Sequence, residues 1–384
     1  MKRRVLCLVI VLLFAILLLE GQKETIRGDQ DPWKDKKFYT ELQAEENLLV
    51  NGSMEDGFYW VYPNHFVASG WKRWWIHGSV LPEYDDTDKS EVRPEYDGAH
   101  AQTYFKWGAS YTAGIYQVVT GLSPCTPYQL TMWARSHSLT GALPHTRIGL
   151  DPQGLDLTPD GAVKSGFPPD TAWSTEQTAL FAWEQLSVTV EPIEDRLTAI
   201  LYASPWRPDD RRLYYFDTYW DAGKLLHLPS PDGRLPEPDS WAPSEFIQNL
   251  SAVSLLDRVI ITWDTSAPAS TQVWYEITAP DGVAQNPPMA LVTPADLKPV
   301  TQHRVVIQGL RSGDVVNFMA LSRRPVDNQC VTEASATQSI STLLPTERVP
   351  RPEPWSPSED IQNLTATHVL DRIIVTWDTP DLAS

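Results

Sequence analysis

Apolar residues first run unbroken from Val5 to Leu19, behind Lys2, Arg3 and Arg4. Fifteen such residues after a basic patch match a secretory signal, whereas a spanning helix needs about 20. No small-x-small cleavage site follows, so residues 1–22 stand either as a signal peptide or as an N-terminal anchor helix. Residues 23–46 are polar, charged and without period, the texture of a flexible spacer. From Asn47 the pattern becomes short apolar-aromatic runs broken by Gly, Pro and Asp. Ala113–Leu122, Pro127–Ser136, Glu184–Pro192 and Thr198–Ser204 each alternate or nearly so, as half-buried strands do. Many such strands over residues 47–225 predict one sandwich or jelly roll.

Two Pro-rich stretches follow, at 226–243 and 344–357, and read as stiff exposed linkers. Each precedes a copy of one repeat. SEFIQNLSAVSLLDRVIITWDTSAPAS (Ser244–Ser270) and SEDIQNLTATHVLDRIIVTWDTPDLAS (Ser358–Ser384) align without gaps at an offset of 114, with 17 of 27 positions identical. The first copy predicts a complete domain over 244–343. The second, 358–384, covers about a third of a module of ~100 residues, so further modules are expected beyond it.

Composition sharpens this picture. Thirty-two prolines disfavour long helices, while 16 Trp, 14 Tyr and 10 Phe supply ample core area, so the fold class expected is all-β. A net charge of −18 excludes a nucleic-acid partner, which requires a basic stripe. It also opposes adhesion to anionic lipid, leaving membrane contact only to residues 5–19 if they are retained. Everything after residue 22 is expected to face outward, in a secreted or membrane-anchored protein. Cys125 and Cys330 fall in different expected domains, so the two are read as separate thiols.

Particular residues carry resemblances to known families. The repeat unit resembles a fibronectin type III domain, an immunoglobulin-like sandwich. DRVIITWDT (Asp257–Thr265) is similar to that family's second strand with Trp263 as its core tryptophan, and Thr271–Pro280 to the next strand. His303–Arg324 is similar to the later strands, with Phe318 where tyrosine is usual. Residues 47–225 resemble the jelly-roll carbohydrate-binding modules of galactose-binding-like fold. NLLVNGSMEDGF (Asn47–Phe58) is similar to their opening strand, Tyr116–Arg135 to a central hairpin and LYYFDTYW (Leu213–Trp220) to the closing strand.

Such a resemblance implies glycan binding by flat aromatic faces flanked by hydrogen-bonding side chains. Trp74 and Trp75 in WKRWWIH, Tyr104 and Trp107 in a second cluster, and Trp173 near a loop are the candidate contacts, while Trp71 matches a core position. The resemblance also implies a structural calcium joining the opening and closing strands, at Glu55 and Asp217. Two carboxylates with backbone carbonyls could supply the six to eight oxygens that Ca²⁺ takes. Pro82–Asp97 is acidic but lacks EF-hand spacing, and no G-x-S-x-G, H-E-x-x-H or P-loop signature appears. The expected function is therefore non-catalytic binding of a polysaccharide or cell-surface glycan. The alternatives are a structural or adhesion protein, or the accessory region of a secreted glycoside hydrolase.

Overall fold

The computed structural model describes residues 46–62, 65–87, 95–138, 143–157, 162–163, 166–206, 216–280, 282, 289–344, 362–369 and 372–378. The signal or anchor, the spacer up to residue 45 and nearly all of the second Pro-rich stretch lie outside them. Among the described residues the chain is all-β, without helices.

The first half holds β1 (Phe58–Val61), β2 (His65–Ala68), β3 (Lys72–Ile76), β4 (Glu83–Asp86), β5 (Gln102–Lys106), β6 (Ala113–Thr120) and β7 (Tyr128–Ser138). It continues with β8 (Thr146–Asp151), β9 (Ala162–Val163), β10 (Ala172–Trp173), β11 (Glu184–Val190), β12 (Arg196–Ala203) and β13 (Phe216–His227). A six-stranded sheet in the order β10-β8-β12-β6-β3-β9 faces a five-stranded sheet in the order β11-β7-β13-β5-β4. The alternation read from the sequence sets the faces. In β7, Tyr128, Leu130, Met132 and Ala134 are buried, and the residues between them are only half-buried. They join Ile115, Leu186, Leu201, Phe216, Trp220 and Trp71 in one core. Trp71 is buried there as its position implied, with its indole N–H donating to the carbonyl of Asn51.

The opening segment is laced to the closing strand. Leu48 and Gly223 donate their N–H groups to the carbonyls of Leu225 and Gly52, and Asn47 bridges Gly223 and Leu225 through its side-chain amide. The two chains approach so closely that a Cβ on Gly52 would stand 2.4 Å from the Gly223 oxygen. Glycine is needed here for space rather than for an unusual φ.

The second half comprises β14 (Ile247–Ser254), β15 (Arg258–Thr278), β16 (Leu291–Val292), β17 (Asp296–Gln308), β18 (Val315–Val326), β19 (Gln329–Ala334) and β20 (Gln338–Ser341). The two strands expected at Asp257–Thr265 and Thr271–Pro280 are one continuous strand, β15, that changes sheets midway. Its first part pairs with β14 and β17, and its second part with β16 and β18. The register shifts between Asp264 and Thr271 mark the crossing, where Pro268 has no N–H to give a ladder. Trp263 is buried among Val259, Ile261, Val273, Val316 and Phe318. A final hairpin of β21 (Gln362–Val369) and β22 (Arg372–Asp378) repeats the β14/β15 pairing in the same register. The bulge between Gln248 and Ser251 recurs between Gln362 and Thr365.

Two expectations are corrected at the junction of the sandwiches. Cys125, in the turn after β6, is disulfide-bonded to Cys330 in β19 with 5.3 Å between their Cα atoms. Distance along the chain was a poor guide, because the sandwiches are in contact: Arg323 pairs with Glu191 across the joint at 2.6 Å. The first Pro-rich stretch is likewise not wholly an exposed linker. Leu235 is only 4% exposed, packed with Trp274 and Leu321 of the second sandwich.

Candidate functional site

The outer face of the five-stranded sheet collects groups that an ordinary solvent face would not. Because β7 and β13 turn alternate residues into the core, Trp133, Arg135 and His137 share the other face with Asp217, Tyr219 and Asp221. The register places Tyr219 between Arg135 and Thr103, Asp217 between His137 and Phe105, and Asp221 beside Trp133. Asp85 and Glu83 of β4 continue these rows. Polar groups are thus buried on a sheet face outside the apolar core, where each needs a partner.

Most partners are present. The Tyr219 hydroxyl donates to Asp217 Oδ2 at 2.9 Å, and His137 Nδ1 lies 3.6 Å from the same oxygen. The Arg135 guanidinium stands over the Tyr219 ring, 5.8 Å from its centroid. Its Nη1 is buried and has no hydrogen-bond partner among the described residues. Asp221 accepts N–H donors from Tyr96 and Asp97 at 2.9 and 3.0 Å. Burial, with a smaller contribution from the Glu55 charge, raises its carboxyl to about 6 against those hydrogen bonds.

Aromatic rings border this polar row. Tyr96 stacks on Trp133 with 4.0 Å between centroids and 15° between planes, and Trp183 meets Tyr96 edge-on at 5.7 Å. Phe181 packs edge-on against His137 at 5.0 Å. Phe181 has φ of 62°, a conformation costly for an aromatic residue, and remains half exposed. Flat rings beside fixed donors and acceptors can stack on an apolar ring face and hydrogen-bond its substituents.

The residues expected from sequence are dispersed. Tyr104 is fully buried between the sheets, its hydroxyl accepting from the Trp220 indole. Trp74 is fully buried on the outer side of the six-stranded sheet, stacked on Tyr202 and met edge-on by Phe167. Neither presents a ring face to solvent. Trp173 belongs to the same outer cluster as Trp74, half-buried, with Arg147 over its ring at 4.2 Å. Trp75 is half-buried against the main core beneath Arg73. Trp107, directly after β5, is 65% exposed and keeps an accessible ring. Sequence reasoning missed Tyr96, Trp133, Arg135, His137, Trp183 and Tyr219. The signal was within β7, where an apolar face of Tyr128, Leu130, Met132 and Ala134 leaves Trp, Arg and His on the other.

The expected calcium pair is not assembled as anticipated. Asp217 precedes Asp221 by four positions on β13, roughly 13 Å along a strand. It is Asp221 whose carboxyl feels the Glu55 charge. Glu55 Oε1 accepts the N–H groups of Ala99 and His100, both at 2.8 Å. Those are donors, not the oxygen ligands Ca²⁺ takes, and no group of three or more metal-binding side chains occurs among the described residues.

No family model and no curated protein matches the chain. Several solved structures do. A CBM61 carbohydrate-binding module in complex with β-1,4-galactotriose is 16% identical, over 48% of this chain and 99% of that one, with a TM-score of 0.29. The CBM22-1–GH10 modules of endo-1,4-β-D-xylanase 10B from Clostridium thermocellum, complexed with xylohexaose, are 10% identical over 47% of this chain and 28% of that one, at 0.27. The adhesin domain of Epf from Streptococcus pyogenes is 10% identical over 79% of this chain and 99% of that one, at 0.38. With identities below 25% and TM-scores below 0.5, these likenesses carry no argument about what this chain binds.

Proposed function

We propose that the first sandwich is a non-catalytic, jelly-roll glycan-binding module and that it binds through the outer face of its five-stranded sheet. The observation that carries this reading is the aromatic border of Tyr96, Trp133 and Trp183 beside the half-buried Arg135 and His137, which the fully buried Tyr219 and Asp217 hold in place. The second sandwich is a fibronectin type III-like spacer. Its two faces, β14-β15-β17 and β16-β15-β18 with β19 and β20, share β15 around the buried Trp263, and that arrangement supports the assignment. The chain is exported, as the N-terminal apolar run suggests and as a disulfide persisting in an oxidising compartment would require.

Affinity electrophoresis of the full chain through gels carrying neutral polysaccharides tests the proposal. Retardation by at least one polysaccharide is expected. Trp133→Ala should weaken it by about tenfold, since stripping a ring from a stacked contact costs on the order of 1–3 kcal/mol. Retardation by none, or retardation indifferent to Trp133→Ala in a folded chain, refutes it. An adhesion role with a protein partner has one observation of its own. The β1–β2 ribbon exposes Trp60, Tyr62 and Phe66, with Trp60 and Phe66 directly opposite across the strands.

A further inference from the structure

The Pro-rich stretch before the second sandwich is held by a built surface. The Arg234 guanidinium lies over the Trp274 ring at 4.7 Å and donates through Nη2 to the carbonyl of Ala290 at 2.7 Å. Leu235 inserts among Trp274, Leu321, Val292 and Met319. Gln272 grips the backbone on both sides: its Oε1 accepts the Leu235 N–H at 2.8 Å and its Nε2 donates to the Gly233 carbonyl at 2.7 Å. The Trp274 indole N–H steadies that amide by donating to the same Oε1. Trp241 then packs on Trp274 from farther along, with 5.5 Å between ring centroids. The prolines between these anchors lower the entropy lost when the segment is ordered.

The same residue types return at the repeat offset of 114. Arg348, Val349, Pro350, Pro352, Trp355 and Pro357 stand where Arg234, Leu235, Pro236, Pro238, Trp241 and Pro243 stand. A spacer needs stiffness and solubility, and would not keep an arginine, an aliphatic residue and a tryptophan in step. The anchors that touch the sandwich are the positions that recur in kind. By contrast Glu237, whose counterpart is Arg351, and Ser240, whose counterpart is Pro354, change character.

We infer that the surface around Gln272 and Trp274 is a recognition site for an Arg-(Leu/Val)-Pro-x-Pro-x-x-Trp-x-Pro segment of this same chain. Each such segment is then the first element of the repeat that follows it, not a tether between repeats. The repeat unit accordingly begins at or before Arg234, ten residues upstream of Ser244.

Trypsin cleavage after Arg234, followed by mass spectrometry on the full chain, tests this. In the parent chain the Arg234–Leu235 bond should resist cleavage. Leu235→Ser, which unseats the strap without touching the sandwich, should speed it by about tenfold or more, because proteolysis follows the population of the open form. A graft of the second segment onto the first (Leu235→Val, Glu237→Arg, Asp239→Glu, Ser240→Pro, Ala242→Ser) should stay within about twofold of the parent rate. The arginine it adds precedes Pro238 and gives trypsin no new site. A parent chain cut as fast as Leu235→Ser overturns the docking. A graft cut as fast as Leu235→Ser overturns the identity of the two segments.

Discussion

Replacing His303 by glutamine should remove much of the acid sensitivity of the second sandwich. His303 is 2% exposed, stacked face to face on Trp263 with 4.9 Å between rings and 7° between planes. Its two nitrogens meet the hydroxyls of Thr265 and Thr271 at 2.9 and 2.7 Å. Burial lowers its pKa from 6.5 to about 4, while the carboxylates of Asp264 and Asp296 oppose that shift. The folded state therefore holds the ring neutral where the unfolded chain would protonate it. Between about pH 6.5 and 4 the unfolded state binds more protons, so stability is complete above 6.5 and falls as the pH drops through this window. At 1.36 kcal/mol per unit, a shift of this size is worth about 3 kcal/mol. Urea unfolding at a series of pH values, with His303→Gln subtracted from the parent, isolates the contribution from that of the carboxylates. Glutamine keeps a hydrogen-bonding side chain of similar reach but does not titrate. Parallel curves for parent and variant across the window refute the argument.

Three further outcomes follow from packing, covalent linkage and charge. Gly52→Ala should destabilise the first sandwich by about 1–3 kcal/mol in urea unfolding, since its Cβ meets the backbone oxygen of Gly223 at 2.4 Å and backbone does not yield readily. Cys125→Ser with Cys330→Ser should lower stability by up to about 5 kcal/mol, the chain-entropy value for a loop closed over 205 residues. An unchanged calorimetric trace would show the loop ends already pinned by other contacts. The remaining proposal, a structural calcium at Glu55 and Asp217, would take Glu55 from the N–H groups of Ala99 and His100 that it now accepts. It requires that chelation lower the melting temperature and that Glu55→Gln abolish that response; an unchanged melt on chelation excludes it.

Legibility from sequence tracked the range of the interactions. The alternation of β7 and β11 is a local pattern and is present as read, and the gapless repeat, equally local, gives two hairpins of one register. The single course of β15 was hidden because Ser266–Ser270 carries the Ala and Pro of a turn, yet the backbone crosses there extended. The alternation of β7 marks Trp133 as lying off its apolar face, whereas KRWWI in β3 does not alternate, and only the packing of Phe167 and Tyr202 on Trp74 decides that its ring is covered. The disulfide joins residues 205 positions apart and is set by how two sandwiches meet rather than by any spacing of cysteines.

That disulfide also determines how the chain would carry a load. A pull applied at its two ends reaches Cys125 and crosses directly to Cys330. The 205-residue span between them, roughly 700 Å of extended chain, is shielded from tension and cannot pay out while the bond lasts. The core strands β7, β11 and β13, and β14, β15 and β17 of the neighbouring sandwich, all lie inside that span. Stretched in a force spectrometer, the oxidised protein should lengthen only through segments outside the bond. A reductant would release the remainder as additional extension.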